Sequence, residues 1–280
     1  MQRTLVSIIV PVLNMQQTVG RCIRSILHQD HPGIQIIVVD GRSTDDTVAE
    51  VEVFSDHLDV VVSEPDQGAY HAINKGLAHV KGDIVGILNA DDYYTNASVI
   101  SNFVKTFNRH REAGVVFADI EFFSAVDQRP VRDYCSDTFE LAHLRFGMMP
   151  PHPSIFVRRS VYEAVGGFAT HLPMAADFEF VVRALWLHRV PFRRIDDVVV
   201  RMQHGGRSTR TWRSVVALNH EVLSACRSHG FRTNWLHILL KWGYKARGLK
   251  PLLEPQPRRR NIPTPWPGQW VEEKVPGLPY

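Results

Sequence analysis

The sequence predicts an α/β fold in which strands and helices alternate around a largely parallel sheet. Three observations carry this expectation. Short runs rich in Val and Ile alternate with stretches whose apolar residues recur at helical spacing. The runs at 34–39 and 84–88 show no polar alternation, the pattern of strands covered on both faces. Acidic residues stand at or just beyond the ends of these runs: Asp40, Asp66 and the adjacent pair Asp91-Asp92. Ligands of open α/β sheets lie beyond the carboxyl ends of the strands, so acids gathered there mark a candidate binding edge.

The elements follow in order. Residues 6–14 begin as a strand, with Pro11 expected to end its ladder because it has no N–H to donate. A helix over 18–29 places Val19, Cys22, Ile23, Ile26 and Leu27 on one stripe. After the strand at 34–39, Ser43 and Asp46 have the spacing of a capping box, opening a helix to about Phe54. A short strand at 60–63 leads through the loop 64–68 to a helix with Tyr70, Ile73 and Leu77 inward. The strand at 84–88 precedes a helix over 97–109 and a strand at 114–119. The rhythm then changes. Residues 120–123 and 130–134 read as an antiparallel excursion, 139–146 as a helix and 147–153 as irregular, proline-rich chain. A strand at 154–157, a helix at 160–165 stopped by Gly166-Gly167, a helix from Ala175 to His188 and strands at 192–195 and 198–202 follow. Helices at 211–228 and 233–247 precede a proline- and arginine-rich tail from Pro251, expected to be mobile.

Composition sets limits. The 280 residues suffice for one large α/β domain with a small appendage, and 44% hydrophobic with 22% charged residues is ordinary for a globular chain. A net charge of +3 does not argue for a nucleic-acid partner. Cys22, Cys135 and Cys226 are odd in number and lack metal-type spacing, which fits a reducing compartment without disulfides or zinc. The start of the chain reads as a first strand rather than a secretion signal, and no run reaches the ~20 apolar residues of a spanning helix. The expectation is a cytoplasmic protein.

Asp91-Asp92 admits two readings on its own. The pair could hold Mg²⁺ or Mn²⁺ carrying a diphosphate, or it could be a turn, with Asp91 capping the helix that follows. The motifs that would signal other α/β chemistries are missing. No Gly-x-Gly-x-x-Gly follows the first strand, no Gly-Lys-Ser/Thr loop occurs, and there is no Gly-x-Ser-x-Gly elbow.

Taken together, the motifs resemble the family 2 glycosyltransferases. The resemblance rests on residues 6–14, on 38–47, on 63–68 through Asn74-Lys75-Gly76, and on 82–92. It continues in His152-Pro153-Ser154, Gly166-Gly167-Phe168 and Ala176-Asp177-Phe178-Glu179, so it covers roughly residues 5–208, in order. It implies a GT-A fold, a Rossmann-like mixed sheet flanked by helices. The domain would span 1–208, with a nucleotide half to about 119 and an acceptor half beyond it. C-terminal helices at 209–250 and the tail at 251–280 would follow. It also implies transfer of a sugar from a nucleotide sugar to an acceptor hydroxyl with inversion, using Mn²⁺ or Mg²⁺.

The resemblance implies roles for individual residues. Asp40 would accept from a uracil-type base and Asp66 would contact the nucleoside. Pro11, Leu13, Asn14, Asn89 and Ala90 would line the nucleotide cleft. Asp91 and Asp92 would hold the metal, and Asp177 would be the general base. His152 and Glu179 are acceptor-side candidates, with solvent exposure the other reading for Glu179. His204, Arg207 and Ser208, around Gly205-Gly206, would lie near the diphosphate. The sequence departs from the pattern at Asn89 and His71, where many relatives carry Asp. The residue at 71 bears on donor preference.

These readings point to a bacterial surface polysaccharide or exopolysaccharide glycosyltransferase, acting on a saccharide or lipid-linked acceptor with a UDP-sugar donor. A nucleotidyltransferase would need a Gly-rich basic loop after the first strand, which residues 14–19 do not supply. A non-catalytic sugar-nucleotide binder is opposed by intact Asp91, Asp92 and Asp177. The basic, aromatic stretch at 233–247 suggests either a peripheral helix on the inner face of a cell membrane or packing on protein.

Overall fold

The computed structural model describes residues 4–124, 129–203 and 211–240. Among the described residues its sheet has nine strands in the order β3-β2-β1-β4-β8-β6-β9-β5, with β7 paired to the later part of β6, beyond β8. The first four of that order are parallel: β3 (Val60–Ser63), β2 (Ile34–Asp40), β1 (Val6–Val12) and β4 (Ile84–Ile87). The remainder is mixed. β8 (Phe156–Arg158) runs antiparallel to both β4 and β6 (Val115–Phe123), and β9 (Phe192–Gln203) runs parallel to β6.

Both sheet faces are covered, which is why the central strands lack alternation. On one face α1 (Val19–Leu27), α2 (Thr47–Glu52) and α4 (Val99–Arg109) pack Ile23, Ile26, Phe103 and Phe107 against Ile8, Val10 and Ile84. On the other, α3 (Ala69–Leu77), α5 (Arg159–Val165), α6 (Ala176–Val181) and α7 (Trp212–Ser228) cover Ile9, Ile37, Val85 and Ile87. Gly76 lets α3 press onto β1, since a Cβ there would overlap Ile9.

Several local expectations are corrected. Pro11 does not end β1, because it pairs in register with Val39. Odd residues of β1 bond toward β4, as Leu88 N donates to Ile9 O, and β4 has ended by the level of Pro11, so its missing N–H forfeits no ladder bond. The Ser43–Asp46 capping box does not form. Helix α2 starts at Thr47 with no side-chain cap, and Ser43 turns back to Asp40 instead. Asp91 does not cap a helix, because Tyr93–Tyr94 intervenes as β5, antiparallel to β9.

Residues 115–123 form one strand, with β7 (Pro130–Tyr134) antiparallel to its end. The two strands expected between 192 and 202 are likewise one, bulged where Phe117 faces Arg194 and Asp119 faces Val198. The helix expected at 139–146 is a 3₁₀ segment, Leu141–Phe146, and α6 continues as a π-helical stretch, Val182–Leu187. Of the last expected helix, residues 235–240 are helical. Residues 241–247 and the tail lie outside the described residues. Among the described residues no helix is long and apolar enough to cross a membrane.

Candidate active site

The carboxyl ends of β1, β2, β3 and β4 lie side by side, and their loops are tied together by side chains. Asn14 adopts a left-handed backbone, φ 54°, a conformation Asn tolerates better than most residues. Its Oδ1 accepts from Thr44 N at 2.8 Å, while its own N–H donates to Ser43 Oγ at 2.8 Å. The β1 loop is thereby fastened to the β2 loop. Leu13 beside it is 39% exposed and open to a ligand, whereas Pro11 is buried in the sheet.

Asp40 ends β2 and is only 2% exposed. Its Oδ1 accepts from Ser43 Oγ at 2.5 Å and its Oδ2 from Ser63 Oγ at 2.6 Å. This carboxylate therefore welds the ends of β2 and β3. Asp66 is half-buried, accepts from Gly68 N at 2.8 Å and lies against Gly41, where a Cβ would collide with its carboxylate. Gly68 starts α3 at φ 120°, a backbone that L residues rarely adopt. His71 does not stand free at the pocket edge, because its Nδ1 accepts from Gln67 N at 3.2 Å and closes the loop.

The turn after β4 carries the carboxylate pair. Asp92 N donates to Asn89 O, and α1 grips the turn from below: Cys22 Sγ donates to Asn89 O at 3.4 Å and Arg21 Nη2 to Asp91 O at 3.2 Å. Arg21 also lies over the rings of Tyr93 and Phe123 at 4.5 and 5.2 Å. Ala90 is buried within the turn, so it presents backbone rather than side chain. Asp92 is fully buried, with Oδ2 accepting from Asn89 Nδ2 at 3.0 Å. Among the described residues Asp92 Oδ1 has no well-formed hydrogen bond. Burial, then the charge of Asp91, pushes the Asp92 carboxyl well above the ordinary carboxylate range, and burial also raises Asp91.

A buried carboxylate with an unsatisfied oxygen is costly unless a cation or donor arrives. Asp91 and Asp92 thus fit a hard divalent ion of the Mg²⁺ or Mn²⁺ type. Among the described residues no cluster of three or more His, Cys, Asp or Glu side chains could ligate a metal, so other ligands would be phosphate oxygens and water. The backbone of Gln203 reaches Asp92 at the end of β9. His204, Arg207 and Ser208 follow it in sequence and lie outside the described residues.

Asp177 sits in the first turn of α6, half-buried, with Oδ1 accepting from Phe178 N. Three aromatic side chains face it. Tyr70, from the first turn of α3, stacks on Phe168 at 5.7 Å, and His152 meets the same ring edge-on at 5.7 Å. Tyr134 ends β7, with its hydroxyl donating to Met149 O at 3.1 Å. Burial, reinforced by the Asp177 charge, lifts the Tyr70 phenol well above its usual value. Burial lowers His152 despite the Asp177 charge, which favours the neutral imidazole. Asn74 clamps Phe168 through both backbone groups at 2.8 Å, so α3 carries the Asp66 loop and fixes the floor of the Asp177 cluster.

Glu179 is placed elsewhere. It is 5% exposed, and its carboxylate is taken up by Arg183 at 2.8 Å and His229 Nε2 at 2.6 Å. It neither faces solvent nor joins the cluster around Asp177, because two residues along a helix reverse the direction of a side chain. Sequence reasoning did not assign Arg21, Cys22, Ser63 or Tyr134 to the site. Their contacts with the site span 70, 67 and 23 residues for the first three, so no local pattern marks them.

A strand-end acidic edge with Asp92 buried and Asp91 half-buried, beside a carboxylate in an aromatic nest, is an arrangement suited to group transfer in an α/β protein. The model of the family described as "Glycosyl transferase family 2" matches residues 7–166, more than half of the chain. The protein therefore belongs to glycosyl transferase family 2 and is a glycosyltransferase of the GT-A type.

A PGL/p-HBAD biosynthesis glycosyltransferase of Mycobacterium bovis is 28% identical over 180 residues, 63% of this chain and 68% of that protein. Glycosyltransferase AglE of Haloferax volcanii is 27% identical, over 64% of this chain and 60% of its own. Among solved structures, S. aureus TarS 1–349 in complex with UDP-GlcNAc superposes with TM-score 0.62 at 18% identity, covering 80% of this chain and 73% of that one. A mannosyltransferase from Pyrobaculum calidifontis, in complex with GDP-Man and Mn²⁺, gives TM-score 0.59 at 21% identity, covering 89% and 82%. The match spans 44% of the longer TarS chain.

Proposed function

We propose that the protein is an inverting glycosyltransferase moving a sugar from a nucleoside diphosphate sugar, a UDP-sugar by preference, to an acceptor hydroxyl. The carrying observation is the buried Asp92, with one oxygen lacking a well-formed hydrogen bond among the described residues, beside Asp91 at the carboxyl end of β4. A UDP-GlcNAc complex and a GDP-Man complex with Mn²⁺ among the structural neighbours support the donor class. Asp91 and Asp92 would hold Mn²⁺ or Mg²⁺, and the ion supplies neutralisation of charge on the departing diphosphate.

The chain's own groups then have distinct tasks. The loops at Leu13 and Asp66 frame the nucleoside, held by the Asn14–Ser43 and Asp40–Ser63 bonds. Asp177 Oδ2, the oxygen not committed to Phe178 N, takes the proton of the acceptor hydroxyl as its oxygen attacks C1 opposite the diphosphate. His152 and the Tyr70 hydroxyl line the acceptor side and orient that hydroxyl. Their rings on Phe168 exclude water from the proton transfer.

The acceptor is a saccharide or lipid-linked saccharide of a bacterial surface polysaccharide or exopolysaccharide. The exposed C-terminal helix supports a site at the inner face of a membrane. Ile238 anchors it, while Trp235, Leu236, Leu239 and Leu240 point outward at 42–64% exposure. Arg232, Lys241, Lys245 and Arg247 accompany them, and the sequence has no acidic residue between Glu221 and Glu254, which matches an anionic lipid surface.

The test is a thermal-shift panel of UDP-, GDP- and TDP-sugars with Mn²⁺ or chelator, followed by nucleotide release with candidate acceptors. A UDP-sugar giving the largest metal-dependent shift is expected. No shift with any sugar nucleotide would overturn the proposal.

A further inference from the structure

Helices α6 and α7 both lie beyond the family match at 7–166, and α7 grips α6, which carries Asp177. Glu221, half-buried on α7, accepts from Met174 N and from Ala175 N through the same Oε2, both at 2.9 Å. Ala175 is the N-cap of α6 and has no side-chain oxygen with which to cap it. Glu221 thus holds, from 46 and 47 residues away, the N–H of the cap residue itself and that of the residue before it, while Phe178 N in the first turn is taken by Asp177 Oδ1. The carbonyl of Met174 is engaged from the opposite side by the Tyr70 hydroxyl at 3.4 Å. Met174 is therefore held at both its N–H and its C=O, three residues before Asp177. One turn along, His229 at the C-cap of α7 bonds Glu179, and Trp186 packs edge-on to Phe231 at 4.6 Å.

We infer that Glu221 is a positioning residue for Asp177: its carboxylate, bound to the Met174 and Ala175 N–H groups, sets where α6 begins and so where the Asp177 carboxylate points. The inference rests on the reading of Asp177 as the base. Glu221 touches neither donor nor acceptor. Its effect runs through two backbone amides, so it bears on the transfer step and leaves the nucleotide cleft at β1–β4 unaltered. A base displaced by about 1 Å loses on the order of a hundredfold in rate.

The experiment uses the full chain and the UDP-sugar that gives the largest thermal shift, with nucleotide release as readout and UDP with Mn²⁺ as the calorimetric probe. E221A removes the acceptor, E221D withdraws it by one methylene while keeping the charge, and E221Q retains an acceptor oxygen. Turnover is expected to fall about tenfold to hundredfold in E221A and about tenfold in E221D, and to stay within about threefold in E221Q. UDP affinity and donor KM should remain within about twofold in all three, a split that a general loss of structure would not produce. In a D177N background E221A should cost nothing further. E221D and E221A at full turnover would overturn the inference, as would an undiminished E221A loss on top of D177N. Full turnover in D177N alone would instead refute Asp177 as base, so the two failures are told apart. If E221A does not fold, E221D carries the same comparison.

Discussion

Replacing Asp92 by Asn separates the cost of the buried carboxylate from its use. Asp92 Oδ2 takes the Asn89 hydrogen bond, and Oδ1 has no well-formed hydrogen bond among the described residues. An unsatisfied buried polar group costs about 1–3 kcal/mol, and more when charged. Asn keeps an acceptor for Asn89 and carries no charge, so D92N recovers the charged part, about 1 kcal/mol, when no metal is present. For a domain of this size that raises Tm by about 2–4 °C.

The pH dependence has a definite sign. The Asp92 carboxyl is raised by burial and then by Asp91, so folding favours its protonated form. The stability it contributes is complete below the unfolded carboxylate pKa and is lost as pH rises through the raised folded value. Metal-free wild type should therefore gain on D92N as the solution is acidified from neutral. Asp91 shifts in the same direction and is present in both proteins, so the difference between the curves reports Asp92 together with its coupling to Asp91.

Calorimetric scans in chelator, then with Mn²⁺ and UDP, make the comparison. Ligand at a hundred times its Kd adds about 2.7 kcal/mol to wild type, and D92N should gain little of it. A D92N protein less stable than wild type without metal, or one that keeps the full ligand-induced shift, would refute the reasoning.

Three further outcomes are expected. D177N should lose about 10²–10⁴-fold in transfer, with UDP–Mn²⁺ affinity unchanged by calorimetry; retained turnover removes Asp177 as base. G41A should push the Asp66 carboxylate aside and weaken UDP binding by about tenfold with little change in Tm, because the obstructing atoms end a side chain rather than lie in backbone. A strong loss of stability with intact UDP affinity would contradict it. The protein should float with vesicles containing phosphatidylglycerol and not with phosphatidylcholine alone, and Leu236→Ser, Leu239→Ser and Leu240→Ser together should release it. Unchanged flotation in the triple variant would exclude these leucines as the contact, and dimerisation lost in the same variant would point to a second copy.

The strands were legible because burial on both faces removes alternation over a handful of neighbouring residues, as in 34–40 and 84–87. Helix α7 was legible from its local periodicity, and the structure adds that Thr211 caps it by accepting from Ser214 N. The antiparallel return of β8 between β4 and β6 was not, since strand order depends on pairing between distant segments. The Ser43 box failed because Asp40, an adjacent buried carboxylate, competes for the same hydroxyl more strongly than an exposed helix end does.

By itself the sequence determined the α/β class, the family resemblance and the location of acids at strand ends, because period, turn chemistry and strand termini are properties of short stretches. Only the tertiary structure decided what surrounds each acid. It buried Asp92 more deeply than Asp91, turned Asn89 onto it, and filled Asp40 with two serine hydroxyls. It set Tyr70, Tyr134 and His152 around Asp177, withdrew Glu179 into an ion pair, and brought Glu221 to the start of α6. These outcomes depend on desolvation and on hydrogen bonds between segments far apart in the chain, which exist only once the sheet and its helices have packed.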